Sequence, residues 1–277
     1  MDPLIERVIK LLPNSGNHAT PDVQEVPQQW PLTGITGQIE LRPGLIVEVE
    51  NSSENRPLIG IEAADYVIEE AAGEGSTRLS LVFNSKVPTE VSTLGNLTPT
   101  YENRWSEGFV VLGSGQTPAT YVLDPDPQLP PKLADFDLEG RGCTAQRHGA
   151  MTNEILIQLP PSIDANWTWD ITTSLWQRSE SEQPAVSASG SQITATNIII
   201  LDVDLGPDTG SGPQPILTGQ GTGAVASGGM SASITWSRDY LTSMWEFTDA
   251  DGEPVVLLPG TTWIEIIPKG AGEWYAF

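Results

Sequence analysis

The sequence predicts an α+β fold, in which an N-terminal domain of α/β type precedes a β-rich, mainly antiparallel C-terminal domain. Three observations carry this expectation. A strand–helix–strand pattern runs from residue 45 to residue 84. The second half breaks into short apolar runs separated by turn residues. Gly (27) and Pro (23) are abundant in the 277 residues, which favours many short elements over long helices.

Asp2-Pro3 has the form of an N-cap followed by Pro at the first helical position. Leu4, Ile5, Val8, Leu11 and Leu12 share one face, so the pattern predicts a short amphipathic helix over 3–12. Pro13, Pro21, Pro27 and Pro31 with polar spacers predict an extended linker over 13–31. The first domain is therefore placed at 30–160, after a helix and linker over 1–29. Leu45–Glu50 reads as a strand. Ile61–Ala72 reads as a helix, with Ile61, Ala64, Ile68 and Ala71 on one face and Glu62, Asp65 and Glu69 on another. Gly73 and Gly75 end it, and Thr77–Asn84 reads as the returning strand. Phe109–Leu112 and Thr120–Leu123 are further candidate strands around Gly113-Ser114-Gly115, and 124–150 is loop-rich. In the second domain, 161–277, the short β-rich runs are Trp167–Thr172, Leu175–Arg178, Asn197–Asp204, Ser231–Ser237, Met244–Thr248, Val255–Leu258 and Thr262–Ile267, preceded by Ile155–Leu159 at the boundary.

The charge balance excludes several functions. There are 36 acids against 13 bases, a net charge of −23. Nucleic acid binding needs clustered Lys and Arg, and anionic membrane surfaces repel such a chain. No stretch is long and apolar enough to span a bilayer, so direct membrane insertion is not expected. Met1–Leu12 lacks the basic start and apolar run of a secretory signal. Cys143 is the sole cysteine and cannot form an intrachain disulfide; with His148 in a loop-like stretch it does not read as a nucleophile.

Other motifs weigh toward structure rather than chemistry. Gly219-Gln220-Gly221-Thr222-Gly223 lacks the following helix and Lys of a phosphate loop. Asp249-Ala250-Asp251-Gly252-Glu253 begins like a calcium loop, but its twelfth position is Gly260, so a hairpin turn is the better reading. Asp202, Asp204 and Asp208 read as a strand end and loop. No metal and no cofactor is expected. Seven of the nine tryptophans lie in the second half and are read chiefly as core residues. The acids Glu62, Asp65 and Glu69, with Arg56 and Arg78 close in sequence, read as an ion-pair cluster or, alternatively, as carboxylates for acid–base chemistry.

Pro31-Leu32-Thr33-Gly34, Arg42-Pro43, Asn51, Arg56-Pro57, Gly60, Ala64-Asp65, Glu69, Thr77-Arg78 and Phe83 together resemble the YerB-like family. The likeness continues through Trp169-Asp170, Trp176-Gln177-Arg178, Ala195–Ile199, Thr218–Gly221, Trp236-Ser237-Arg238 and Pro259–Ile264. It spans roughly Trp30 to Pro268, and its specificity lies in the order and spacing of weak motifs. This chain departs where the family has a Gly-Pro-Val-Arg-Ser-x-Arg segment: Val91–Leu97 has neither arginine. It departs again at Gly73–Ser76 and near Arg147-His148-Gly149.

The resemblance implies a bacterial lipoprotein held outside the cytoplasmic membrane by a lipidated N-terminal Cys, and no established activity. This chain has no such Cys near its start, so it reads as a soluble, monomeric portion with 13–31 as tether. The implied function is an extracytoplasmic binding protein serving cell-wall assembly, with an envelope protein or cell-wall polymer as partner and no nucleic acid. A carboxylate-dependent hydrolase or transferase acting on an envelope polymer is the alternative. The expected binding site gathers Asn51, Arg56, Asp65, Glu69 and Arg78 at one end of the first sheet, with Glu62, Trp236 and Arg238 as secondary members.

Overall fold

A computed structural model describes residues 28–277 except 74, 96, 98–103, 114–115, 123–127, 161–162 and 209–212. The expected helix over 3–12 and most of the linker lie outside the described residues. The first half supplies three long strands, β1 (Gly44–Asn51), β2 (Tyr66–Gly73) and β3 (Ser76–Phe83). Short β4 (Phe109–Val111), β5 (Asp135–Phe136), α1 (Thr144–His148) and β6 (Ala150–Met151) follow. Then come β7 (Glu154–Leu159), β8 (Ile163–Asp170), β9 (Leu175–Glu180), β10 (Gln183–Pro184) and β11 (Thr194–Ala195). The remainder is β12 (Asn197–Val203), β13 (Gly219–Ser227), β14 (Met230–Arg238), β15 (Glu246–Thr248), β16 (Val256–Leu257), β17 (Thr262–Pro268) and β18 (Glu273–Ala276).

The α+β expectation is overturned: the described chain is almost entirely β, and α1 is its one α-helix. The failure sits at Ile61–Ala72. Only Ile61–Ala63 is helical, as a single 3-10 turn, and Tyr66–Gly73 is a strand. Tyr66, Val67 and Ile68 favour an extended chain. Both faces of β2 are buried, so apolar residues do not alternate with exposed ones. An apolar spacing that also fits a helix is then accidental. Thr120–Leu123 likewise gives no strand among the described residues; Pro118–Thr120 is a 3-10 turn.

The strands form a ten-stranded sheet in the order β15-β14-β13-β12-β17-β2-β3-β1-β4, with β6 beside β14, and a six-stranded sheet in the order β10-β9-β8-β7-β18, with β11 beside β9. The boundary expected near residue 160 falls between β7 and β8. Strands of the two halves nevertheless intermix, because β17 pairs in parallel with both β12 and β2. Both halves therefore contribute strands to the larger sheet.

The two sheets stack face to face. Leu45, Val47, Val49, Val67, Leu79, Leu81, Ile198, Ile200 and Trp263 of the larger sheet meet Ile155, Ile157, Ala165, Trp167 and Trp176 of the smaller one. The opposite face of the larger sheet is also covered. Ile46, Tyr66, Ile68, Ile199, Val225, Ile234 and Ile264 pack there against Leu32, Leu133, Cys143, Ala145, Trp245 and Leu257. A strand covered on both sides reads as a near-continuous apolar run, as Asn197–Val203 does. The glycine run of β13 serves this packing: a Cβ on Gly221 would lie 2.6 Å from the Trp236 indole nitrogen, and one on Gly223 would lie 2.0 Å from the Ile200 carbonyl.

Candidate functional site

The middle of the sandwich holds charge. On β9, Trp176, Arg178 and Glu180 alternate inward toward the larger sheet. Arg178 is fully buried and touches three carboxylates, with Nη2 2.7 Å from Glu69 Oε2, Nε 3.1 Å from Glu180 Oε1 and Nη1 3.1 Å from Glu265 Oε1. Its guanidinium also lies 5.2 Å from the Trp167 ring centre and 4.7 Å from that of Trp263. The same two indoles donate to the acids: Trp167 Nε1 to Glu265 Oε1 at 2.9 Å and Trp263 Nε1 to Glu69 Oε2 at 3.1 Å.

Glu69 and Glu265 are side by side because β2 and β17 are parallel and these residues are register partners. Thr77 Oγ1 donates to Glu69 at 2.6 Å, and Asn51 Nδ2 donates to Glu180 at 3.0 Å and to Thr77 at 3.2 Å. Arg56 pairs with Glu180 from the surface. The network thus links β1, β2, β3 and β17 of one sheet to β8 and β9 of the other.

Its electrostatics are uneven. Burial would raise the Glu180 carboxyl, but Arg178 and Arg56 outweigh it and hold it below the usual carboxylate range. Burial and the neighbouring Glu69 charge raise Glu265 to about 8, and its Oε2 has no hydrogen-bond partner. Burial and the adjacent Glu69 charge thus favour the protonated form of Glu265 at neutral pH. With that proton, two carboxylates balance Arg178 and Arg56.

Of the residues expected to gather, Asn51, Arg56 and Glu69 belong to this network. Arg78 and Asp65 do not. Arg78 is on the opposite face of the sheet, 3.2 Å from Glu70, which also pairs with Arg104 at 3.0 Å. Asp65 precedes β2, roughly 13 Å along the strand from Glu69. It accepts from the backbone N–H groups of Asn84 and Ser85 and from the Ser85 hydroxyl. Burial outweighs those bonds and raises its carboxyl. Glu62 lines a cavity of about 80 Å³ with Gln192, Thr194 and Trp263. Trp236 and Arg238 lie on β14, with Trp236 in the outer core. The Asp249–Glu253 segment is a turn closed on itself, since Asp249 Oδ1 accepts from the N–H groups of Asp251 and Glu253. Among the described residues no cluster of His, Cys, Asp and Glu could hold a metal ion.

Three central residues, Arg178, Glu180 and Glu265, were absent from the expected site. A signal for Glu265 exists: it interrupts the otherwise apolar run Trp263–Ile267, which marks an acid buried inside a strand.

Residues 32–101 match the N-terminal domain, and 157–264 the C-terminal domain, of DUF3048, a protein family of unknown function. The chain belongs to the YerB-like DUF3048 family. Its fold is also similar to the crystal structure of the YerB protein from Bacillus subtilis, with a TM-score of 0.65 and 17% identity over 90% of this chain and 99% of that one. No curated protein matches the chain. The two DUF3048 segments meet at the network: Asn51, Arg56, Glu69 and Thr77 come from the first, and Trp167, Arg178, Glu180 and Trp263 from the second.

Proposed function

We propose that this YerB-like protein is an extracytoplasmic binding module of the bacterial cell envelope, without catalytic chemistry of its own, that engages an envelope protein or cell-wall polymer. The observation that carries this reading is the state of the carboxylates. A hydrolase or transferase needs an acid that solvent and substrate can reach. Asp65 and Glu69 are instead 2% and 0% exposed, and each is occupied by several donors. They fix the two sheets and the chain after β3.

The outer face of the six-stranded sheet is by contrast open. It presents Asp164, Asn166, Thr168 and Gln177, and ends at Tyr275 and Phe277, which stack with ring centres 6.4 Å apart and are both exposed. Amide, hydroxyl and aromatic groups on a rigid strand face suit contact with a polymer or protein. The test is co-sedimentation of the purified protein with isolated cell walls, alongside an assay for released wall fragments. Retention without release is the expected result, with retention weakened by Tyr275→Ala. Wall cleavage by the wild type that vanishes in Glu69→Gln would overturn the reading.

A further inference from the structure

The outer face of the larger sheet carries a second set of buried charges whose balance differs. Glu70 pairs with Arg78 and Arg104, and Glu48, buried on the same face, acts on Arg104. Arg238, at the end of β14, is 4% exposed and has no carboxylate partner among the described residues. Its Nε donates to the Ser243 carbonyl at 2.8 Å, and its Nη2 to the carbonyls of Arg104, at 2.6 Å, and Leu241. Arg238 is thus a buried guanidinium held by three backbone carbonyls and by no carboxylate among the described residues. A buried ion without a counter-charge is costly.

We infer that the corner formed by Arg104 and Arg238 is a binding site for an oxyanion, a carboxylate or phosphate group carried by a small molecule or a polymer. A purely structural account makes Arg238 a staple for the loop carbonyls. That account uses Nε and Nη2. It also leaves neutral donors idle. Trp245, whose ring lies 4.1 Å beneath the guanidinium, has a buried Nε1 without a partner. Trp105 Nε1 and Ser106 Oγ are buried and unpartnered too, and they directly follow the Arg104 carbonyl that Arg238 holds.

The chemistry of the corner selects the ligand class. Guanidinium and indole N–H groups only donate, and the Ser106 hydroxyl can donate. Burial keeps the Tyr66 hydroxyl protonated next to Arg238. A ligand rich in acceptors and bearing negative charge matches that set, and the planar fork of Arg suits carboxylate and phosphate oxygens. The overall charge of −23 repels anions at long range, so recognition depends on the Arg238 guanidinium and the donors near it.

The experiment is thermal denaturation of the full chain in sodium phosphate and in sodium acetate, each against sodium chloride at equal ionic strength. Phosphate, acetate or both should raise the melting temperature beyond chloride in a saturable way, and the stronger of the two names the ligand chemistry. Trp245→Phe keeps the ring under Arg238 and removes only its N–H, and Ser106→Ala removes only the hydroxyl. Each should weaken the anion about tenfold, the size of one hydrogen bond to a charged group. Arg238→Gln should abolish the effect, and the two milder variants keep the test decisive if that one does not fold. Absence of any shift beyond chloride, or equal shifts in wild type and both milder variants, overturns the site.

Discussion

Glu69 and Glu70 are consecutive residues of β2 and face opposite sides of the same sheet. Glu69 enters the gap between the sheets, where Glu180 and Glu265 join it around Arg178, with Arg56 at the rim. Glu70 enters the outer core, where Arg78 and Arg104 converge on it and Arg238 lies beyond. The inner cluster has an excess of acid, whereas beside the outer one Arg238 is a base with no carboxylate partner among the described residues. The inner cluster meets its excess with a proton on Glu265. Beside the outer one, Arg238 is depressed to about 10, first by burial and then by the Arg104 charge. The same strand thus contributes to two buried ionic sites, and unpartnered donors lie beside the second, at Trp105, Ser106 and Trp245.

Arg178→Met gives the largest effect with which to break this comparison. Met keeps an apolar stem between the indoles but strands the acids of the inner cluster. Removing one partner of a buried ion pair costs about 3–5 kcal/mol, and here one guanidinium serves three carboxylates. Domains of this kind have about 5–15 kcal/mol of stability in all, so the variant should unfold at a much lower urea concentration. A midpoint equal to that of the wild type would mean that the acids are neutral without Arg178.

The sequence disclosed the strands better than the site. Leu45–Glu50, Thr77–Asn84 and Asn197–Asp204 were legible because β-branched residues crowd short runs bounded by turn residues. The core reading of the tryptophans also matches, with Trp167, Trp176, Trp236, Trp245 and Trp263 buried. β2 was misread because Glu62, Asp65 and Glu69 have the spacing of a solvated helix face, whereas Asp65 and Glu69 are buried. An acid in a sequence ordinarily marks solvent, and here the marker is inverted by arginines distant along the chain. Asn51, Arg56 and Glu69 were found together because they are near in sequence. Arg178 and Glu265 could not be joined to them without the parallel pairing of β17 with β2, a contact across nearly 200 residues.

The proton on Glu265 sharpens the contrast through pH. Its folded value of about 8 exceeds the ordinary 4.5, so between those values the folded state holds a proton that the unfolded chain has lost. The stabilisation is complete below about 4.5, falls as pH rises and is gone above about 8, a span on the order of 3–5 kcal/mol. Glu70 has the opposite sign: burial opposes its ionisation, Arg104 and Arg78 outweigh it, and stability is lost as pH falls below the carboxylate range. Urea midpoints between pH 3 and 9 should therefore peak at mildly acidic pH. Glu265→Gln imitates the neutral acid and should flatten the descending limb while leaving the acid limb in place. A wild-type profile that is level between pH 5 and 8, or a Gln variant that keeps the slope, would remove the shared proton from the account.

Arg56→Ala gives the smallest effect and probes the rim of the inner cluster. The Arg56 side chain is 35% exposed, so water screens its pairing with Glu180. Glu180 retains Arg178 and the Asn51 amide when Arg56 is removed. Partly exposed pairs of this kind contribute about 0.2–1 kcal/mol, and the loss should shrink further in high salt. A midpoint shift of that size, fading between low and high sodium chloride, keeps Arg56 as an outer counter-charge to a network that Arg178 already holds. A loss as large as that of Arg178→Met would show instead that the acid excess needs both cations, and that Glu265 carries no proton to make up the balance.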